Sequence, residues 1–402
     1  MTTDNYGNVY VGGFSIDTIS GADIAIVKYN SIGDTVYTAS YTSAGFYRDQ
    51  ATCLALDTNY NLYVGGFSYV SSTNKYDYIV IKYDSAGTQQ WVYTFNGAGS
   101  LNDGVTAIKT YNNDIYLTGT TTGTTSALDY TTIKLNPSGV LLWQNTYHYL
   151  FADIPFDIAI RDTSVFIIGG SQSSLTNWDY ATLIYSVSGT TIDTLRITGT
   201  GVGFDHASQV VTDALGYVYI TGAVVNTGTG LDFKTIKLDL SGNIIWIKSF
   251  DYVGLDDLAK SIEVDINGNV YVGGQAKNTN GNFDYYLIKY DSGGSELWSK
   301  IFDKGYDDKL SKITLDEDAN VYITGSSNNG NNNDFSTAAY STDGDSLFSI
   351  GYNGIFNGND EATDIKIEKG VIYVTGNTEI SLGVYEYKTI AYTSTKYVPT
   401  ND

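Results

Sequence analysis

The sequence repeats one short phrase eight times at nearly constant spacing. The first copy is Val-Tyr-Val-Gly-Gly at residues 9–13, and the copies follow one another at intervals of 50 to 53 residues. Each copy is centred on one aromatic residue: Tyr10, Tyr63, Tyr116, Phe166, Tyr219, Tyr271, Tyr322 or Tyr373. A period of this length is typical of stacked small units, none of which can bury its own apolar face alone. We therefore predict a single domain of eight repeats over residues 1–402, with scaffold residues in every copy and functional residues where the copies differ.

One unit, residues 257–303, has the pattern of four short antiparallel strands. Alternating apolar residues predict a first strand at residues 257–265, and residues 270–274 predict the second. The Asn267-Gly268 pair between them predicts a two-residue turn with positive φ angles. The third and fourth strands are predicted at residues 284–290 and 297–302. Four strands in about 50 residues, repeated along the chain, indicate the blade of a β-propeller.

The predicted fold class is all-β: a β-propeller of eight four-stranded antiparallel blades, with the first and last blades incomplete. The second and third strands occur eight times, whereas the first and fourth occur seven times each. We therefore expect the first blade to lack its inner strand and the last blade to lack its outer strand. Seven complete blades are the alternative, which would leave surplus strands with unpaired edges.

The repeated motifs resemble those of a known family. The second strand reads Gly-Asn-Val-Tyr-Val-x-Gly, the third reads Asp-Tyr-x-x-Ile-Lys-Tyr-Asp-x-x-Gly, and a Trp stands in the fourth. This combination resembles the SBBP-type β-propeller repeat of bacterial secreted and surface proteins, over essentially the whole chain. The fourth unit and the last depart most from the pattern. The resemblance implies an extracellular or envelope protein whose propeller is a scaffold or adhesion module, and it brings no catalytic motif.

Charge and composition exclude several kinds of partner. With 44 acidic and 22 basic residues the net charge is -22, so nucleic acid and anionic membrane surfaces are not expected as partners. No segment approaches the roughly 18 apolar residues of a membrane-spanning helix. Cys53 is the single cysteine, which excludes an intrachain disulfide. The chain begins at Met1 without a charged and apolar leader, which fits a cytosolic protein or one whose leader has been removed.

Aspartate opens the first strand of seven units and the third strand of seven units. In an antiparallel meander, all fourteen lie at the end of the blade that carries the longer loops, here called the long-loop end. Their repetition favours a structural role, in which each carboxylate accepts hydrogen bonds from backbone N–H groups of its own loop. The weaker alternative is a metal site built from the first-strand aspartates Asp49, Asp103, Asp205, Asp257, Asp308 and Asp360.

No cofactor is expected, with Ca²⁺ as the weak alternative. The turns that begin at Asp57, Asp265 and Asp316 resemble the start of a calcium-binding loop. They lack the bidentate Glu that an EF-hand carries at its twelfth position.

Residues that do not repeat are the better candidates for a site. His148 and His206 are the only histidines, and neither has the spacing of a metal ligand to another His or Cys. We expect both to be solvated loop residues. His148 occupies the position at which the other units carry Thr42, Asn96, Thr200, Asp251, Asp303 and Asn353.

Aromatic residues and one arginine gather in the variable loops of the long-loop ends. Tyr, Trp and Arg most often dominate binding energy at interfaces, so we predict ligand contacts from the following set: Phe46, Tyr47, Arg48, Trp178 and His206. Further loop aromatics are Phe204, Tyr252, Phe283, Tyr306, Phe356 and Tyr385. The alternative role of all these rings is to fold back and cover the ends of the blades.

Three hypotheses about function follow. The first is a non-enzymatic scaffold or recognition module, secreted or displayed at the cell surface, which binds a protein or a glycan at the long-loop ends. It would be a monomer or a segment of a larger chain. The second is a glycoside hydrolase or polysaccharide lyase with its site at the channel mouth, where Glu263, Glu361 and Asp364 could supply the two carboxylates that such chemistry needs. The third is a purely structural segment of a larger surface protein.

Overall fold

The computed structural model describes residues 1–17, 21–43, 48–70, 75–99, 102–123 and 127–393. Over these residues the protein is all-β, without helices, and its strands form eight antiparallel sheets that are the blades of a β-propeller. The predicted fold class and the count of eight blades are confirmed, and the seven-blade alternative is wrong.

The first four blades each contain four strands in sequence order. Their bounds are β1 Thr2–Thr3, β2 Val9–Asp17, β3 Gly21–Tyr29 and β4 Thr35–Tyr41; β5 Gln50–Leu56, β6 Leu62–Val70, β7 Lys75–Tyr83 and β8 Gln89–Phe95; β9 Gly104–Tyr111, β10 Asp114–Thr122, β11 Leu128–Leu135 and β12 Leu141–Tyr147; β13 Asp153–Arg161, β14 Ser164–Gln172, β15 Trp178–Ser186 and β16 Thr191–Ile197.

The last four blades follow the same order, and the eighth has three strands in the part of the chain that the structure describes. Their bounds are β17 His206–Thr212, β18 Val218–Asn226, β19 Gly230–Leu238 and β20 Ile244–Phe250; β21 Asp257–Val264, β22 Val270–Lys277, β23 Phe283–Tyr290 and β24 Glu296–Phe302; β25 Asp308–Leu315, β26 Val321–Asn328, β27 Asn333–Tyr340 and β28 Ser346–Tyr352; β29 Asp360–Glu368, β30 Val371–Ser381 and β31 Val384–Thr393.

The first blade differs from its prediction. Thr2 pairs with Tyr10 and Thr3 with Val9, so an inner strand is present as the short strand β1. Two residues are too few to show an alternating pattern, so this strand could not be predicted from the sequence.

The apolar core lies between successive blades rather than within any one of them. Between the second and third blades, Tyr63 and Tyr78 pack with Ile108 and Ile133. Between the sixth and seventh blades, Tyr271 and Tyr285 form the same kind of cluster with Ile313 and Ile323. Each cluster is made by two sheets, which is why a single repeat cannot bury its apolar face alone.

The turn predicted at Asn267-Gly268 has a different geometry. Gly268 has a φ of 79° and is the only residue of this turn with a positive φ, so it is not the predicted two-residue turn. Instead the Asp265 carboxylate accepts hydrogen bonds from the backbone N–H groups of Asn267 and Asn269, both at 2.9 Å. The carboxylates of Asp57 and Asp316 are engaged in the same way, which explains their spacing as turn chemistry.

The opposite, short-turn ends of the blades are joined by repeated contacts. The ammonium of Lys289 on β23 donates to the backbone oxygen of Thr342 in the next blade at 2.7 Å, and the indole N–H of Trp298 donates to the same oxygen at 3.0 Å. Lys134 and Trp143 share the backbone oxygen of Val187 at 3.1 and 3.0 Å. These repeated side chains therefore hold successive blades together.

The chain divides into two compact units. One comprises Met1–Val210 with Leu240–Asn243, and the other comprises Val211–Asp239 with Ile244–Asp402. The candidate sites described below each lie within one unit.

Candidate functional site

The seven aspartates that open the first strands fix the loops that precede them. Each accepts a backbone N–H from its own loop at 2.5–2.8 Å. Asp49 also accepts the Ser68 hydroxyl at 2.8 Å and the Tyr69 N–H at 3.0 Å. These charge-assisted bonds give the repeated carboxylates a structural role in every unit.

Two long-loop ends of the second unit each bring three carboxylates together. Asp284 opens β23, Asp303 follows β24, and Asp308 opens β25 of the next blade; one oxygen from each lies within 4.8 Å of the others. We call this group the Asp303 triad. Asp284 and Asp308 are buried, and Asp303 is exposed.

The equivalent group one blade earlier is the Asp251 triad, formed by Asp232, Asp251 and Asp257 within the same distance limit. Burial first, and then the negative charges of Asp251 and Asp232, raise the pKa of Asp257 to about 7. In the Asp303 triad, burial and the neighbouring carboxylates raise the pKa of Asp284 to about 6. The cause in both groups is that like charges share a site with little access to water.

In the first unit the same position holds an imidazole. His148 stands between Asp129 and Asp153, and its Nδ1 lies 2.7 Å from Asp129 Oδ1. We call this group the His148 triad. In the next blade the Arg196 guanidinium binds Asp179 Oδ2 with N–O distances of 2.7 and 3.2 Å. His148 is 43% exposed, as predicted for a loop residue, but it also pairs with a repeated aspartate.

Of the six aspartates in the weak metal alternative, the structure places only Asp257 and Asp308 in a group of three potential ligands, over the described residues. The other four are Asp49, Asp103, Asp205 and Asp360. The residues that complete the groups were not among the predicted metal ligands: they are the third-strand aspartates Asp232 and Asp284 and the loop residues Asp251 and Asp303. The aligned copies do show a difference at the loop position: it is Thr, Asn or His in the other units and Asp only at residues 251 and 303.

Two of the predicted binding residues, Trp178 and His206, lie in one aromatic cluster of the first unit. Phe204 stacks on His206 with ring centroids 4.8 Å apart and meets Trp178 edge-on at 4.9 Å. Phe156 lies 5.8 Å from His206. We call these four residues the aromatic patch.

Local backbone features position the aromatic patch. Phe156 stands at the β-bulge of β13, between Pro155 and Asp157, where other inner strands carry Thr52, Lys260 or Thr363. Sequence reasoning missed Phe156, and its only signal is this exchange of a polar residue for an aromatic one. Gly170 makes room for the Trp178 ring, because a Cβ atom at residue 170 would lie 3.3 Å from that ring.

Arg48 belongs to a different place on the first unit. Its guanidinium lies 5.0 Å from the centre of the Phe14 ring and 5.8 Å from that of Phe67, as cation–π contacts. Beside it is a cavity of about 430 Å³ that Phe67, Tyr76 and Leu128 help to line. Phe46 and Tyr47, the other members of the predicted set, lie outside the described residues.

The three acids proposed for a glycosidase occupy two inner strands: Glu263 is on β21, and Glu361 and Asp364 are both on β29. Asp364 Oδ1 accepts the N–H of Ile365 at 2.9 Å. Over the described residues, neither these acids nor any others form a group comparable to the two triads. Nor does this part of the chain contain a helix with the length and hydrophobicity needed to cross a bilayer.

Comparison with known proteins supports the repeat and the fold. Residues 298–332, which run from β24 into the loop after β26, match the family described as SBBP, beta-propeller repeat. This match confirms the family resemblance predicted from the motifs. No curated protein sequence matches the chain.

Solved structures with a similar fold include two lactonases. The periplasmic gluconolactonase of Pseudomonas aeruginosa has a TM-score of 0.51 and 10% identity, and the alignment covers 89% of this chain and 98% of that one. A putative 6-phosphogluconolactonase from Bacteroides uniformis has a TM-score of 0.50 and 11% identity, with 97% and 98% covered. At this identity the likeness concerns the fold alone.

These likenesses correct one expectation. We expected no enzymatic activity, because eight near-equivalent units offer no single reactive group. That inference is wrong, since propellers of similar fold include enzymes, and the repetition of a scaffold does not exclude catalysis.

Proposed function

We propose that the protein is a recognition module that binds a protein partner through the aromatic patch. The observation that carries this proposal is the gathering of Phe156, Trp178, Phe204 and His206 at one long-loop end, where none of the four rings is buried. A second four-ring cluster, formed by Phe233, Phe250, Tyr252 and Tyr286, differs in that Phe233 and Tyr286 are buried in the core. Clustered aromatic side chains supply much of the binding energy at protein interfaces.

The surroundings of the patch support a protein rather than a sugar as the ligand. Phe204 is 37% exposed, and the adjoining loops expose Leu175 at 80% and Val202 at 67%. These loops are tied together, because the Trp178 N–H donates to the Gly203 oxygen at 2.8 Å. A contiguous aliphatic and aromatic surface held on a fixed frame is characteristic of protein–protein contacts.

Charge indicates the kind of partner. The net charge of -22 would attract a basic surface and would speed its association at low salt. We propose a partner with an apolar centre and a positively charged rim. The family resemblance supports a location outside the cell, in a secreted or surface-displayed protein.

The test compares the whole chain with two surface variants. Phe204→Ser removes the exposed ring of the patch, and Tyr306→Ser removes a ring that is 52% exposed in a loop of another blade. Each chain is immobilised and exposed to an extract of the source cells, and bound proteins are quantified by mass spectrometry. We expect at least one basic protein to be retained by the wild type and by Tyr306→Ser, and to fall about tenfold or more with Phe204→Ser.

A glycan array run with the same three chains gives the competing outcome. Glycans bound by the wild type and lost with Phe204→Ser, with no protein retained, would replace the protein partner with a sugar. If Phe204→Ser changes neither protein capture nor glycan binding, the patch is a structural cap and the proposal fails.

A further inference from the structure

The two acidic triads contain buried carboxylate oxygens whose bonding is incomplete. Asp284 is 3% exposed, and its Oδ1 atom has no hydrogen-bond partner among the described residues. Asp308 is fully buried, and the Ser327 hydroxyl lies at its carboxylate, as Ser171 does at Asp153. The Oδ2 atom of Asp284 accepts Asn278 Nδ2 at 2.8 Å, and that of Asp308 accepts the Lys304 N–H at 2.8 Å. Buried polar atoms are normally satisfied, so the Asp284 oxygen, beside two further carboxylates, indicates a missing positive partner.

The Asp251 triad repeats this arrangement. Asp232 is 5% exposed, and its Oδ1 atom also lacks a partner in the described part of the chain. Its Oδ2 atom accepts Asn226 Nδ2 at 2.6 Å and Thr229 Oγ1 at 2.9 Å. The same oxygen is thus unsatisfied in both acidic triads. It is also unsatisfied at the equivalent Asp77, where Asn96 occupies the third position, so the acidic triads are distinguished by their third carboxylate.

The His148 triad shows this position with an imidazole in place of the third carboxylate. Asp129 Oδ1 pairs with His148, and Asp153 accepts both the Tyr149 N–H and the Ser171 hydroxyl. Neither Asp129 nor Asp153 has an unsatisfied buried oxygen. The two acidic triads consist of aspartates only, and the carboxylates of Asp308 and Asp334 both act electrostatically on Lys304.

We propose that each acidic triad of the second unit binds one calcium ion. All three protein ligands are carboxylate oxygens, the donors that hard cations prefer, and no His or Cys is present to favour zinc. Ca²⁺ accepts irregular sets of six to eight oxygens at about 2.3–2.6 Å, whereas Mg²⁺ requires near-ideal octahedral geometry. Asp284 and Asp308, or Asp232 and Asp257, would bind from the buried side, and exposed Asp303 or Asp251 would close the site towards water.

The test is isothermal titration of the chelator-treated full chain with CaCl₂, with terbium luminescence as a second readout. We expect two sites per chain with Kd values of about 10⁻⁴–10⁻³ M, the range of extracellular calcium modules, because water must supply the remaining ligands. Mg²⁺ should bind at least tenfold more weakly.

Four variants define the site. Asp303→Asn and Asp251→Asn change exposed residues and should each reduce the stoichiometry from two to one. Asp318→Asn removes the same charge from an exposed turn of the same unit and should leave both sites intact. His148→Asp converts the His148 triad into a third acidic triad and should raise the stoichiometry to three.

Circular dichroism verifies that every variant is folded. The proposal is overturned if the wild type shows neither binding heat nor terbium luminescence at millimolar concentrations. It is also overturned if Asp251→Asn and Asp303→Asn both retain the wild-type stoichiometry.

Discussion

The His148 triad and the Asp303 triad are built on the same two repeated aspartates and differ in the residue between them. Where that residue is His148, its Nδ1 lies 2.7 Å from Asp129 Oδ1, and in the described part of the chain no buried oxygen of Asp129 or Asp153 lacks a partner. Where it is Asp303, a third carboxylate joins Asp284 and Asp308, and among the described residues Asp284 Oδ1 has no partner. A repeated scaffold residue therefore becomes part of a candidate site through its neighbour rather than through any change of its own.

The largest expected effect on stability comes from replacing the aspartate that opens the first strand of the next blade. This residue is Asp153 in the His148 triad and Asp308 in the Asp303 triad. Asp153→Ala loses the bonds from Tyr149 and Ser171 and leaves His148 near one carboxylate only, so we expect a loss of about 3 kcal/mol in the free energy of unfolding. Asp308→Ala should cost about 1 kcal/mol in chelator, because it also relieves the repulsion from Asp284 and Asp303. Urea denaturation measures both. Equal losses would show that the triads are electrostatically alike.

Calcium should stabilise the second unit, which contains the two acidic triads, and not the first unit, which contains the His148 triad. At a concentration ten times Kd, each occupied site adds about 1.4 kcal/mol to the free energy of unfolding. Thermal unfolding of the wild type should therefore shift upward with CaCl₂, and Asp303→Asn should lose about half of that shift. A shift that persists in full in the double variant Asp251→Asn/Asp303→Asn would place the calcium elsewhere.

A smaller effect is expected when a histidine is introduced into the Asp303 triad at the position equivalent to His148. Asp303→His places an imidazole beside Asp284, as His148 stands beside Asp129. In chelator we expect a gain of about 1 kcal/mol, limited by the exposure of this position. Melting temperatures of the two chains check it, and a lower value for the variant would contradict the proposed equivalence of the positions.

The smallest effect concerns a third arrangement, the pair Asp77 and Asp103, for which Asn96 occupies the position of His148 in the repeat. Burial and the charge of Asp103 raise the pKa of Asp77 from 3.8 to about 6. The folded state therefore binds the proton more tightly than the unfolded state, so this stabilisation is complete below about pH 4 and is lost as the pH rises through 6.

Between about pH 5.5 and 6.5 the contribution of Asp77 to stability should fall by less than about 1 kcal/mol. Asp77→Asn should remove that slope, measured by urea denaturation at each pH. A variant that keeps the wild-type slope would show that Asp77 does not titrate in this range.

The sequence predicted the blades well because their signals are local. The observed strands Asp257–Val264 and Phe283–Tyr290 lie within one residue of their predicted bounds. The short strand Thr2–Thr3 has no pattern of its own and was missed. The turn at Asp265 was assigned the wrong geometry, because its side chain accepts backbone hydrogen bonds that a pattern of residue types does not show.

The candidate sites could be predicted only in part. Trp178 and His206 were selected as unrepeated residues, but Phe156 joins them through a β-bulge that alternation alone does not reveal. The acidic triads join the end of one blade to the start of the next, so they required the distances between residues that lie far apart in the repeat. The sequence showed which positions differ between the copies, and the structure showed which of those residues lie close together.

Anomalous diffraction from crystals soaked in terbium tests most directly whether the residue between the repeated aspartates decides cation binding. The account predicts two peaks, one between Asp232 and Asp257 and one between Asp284 and Asp308, with none at His148. Peaks at all three triads, or at none of them, would contradict it.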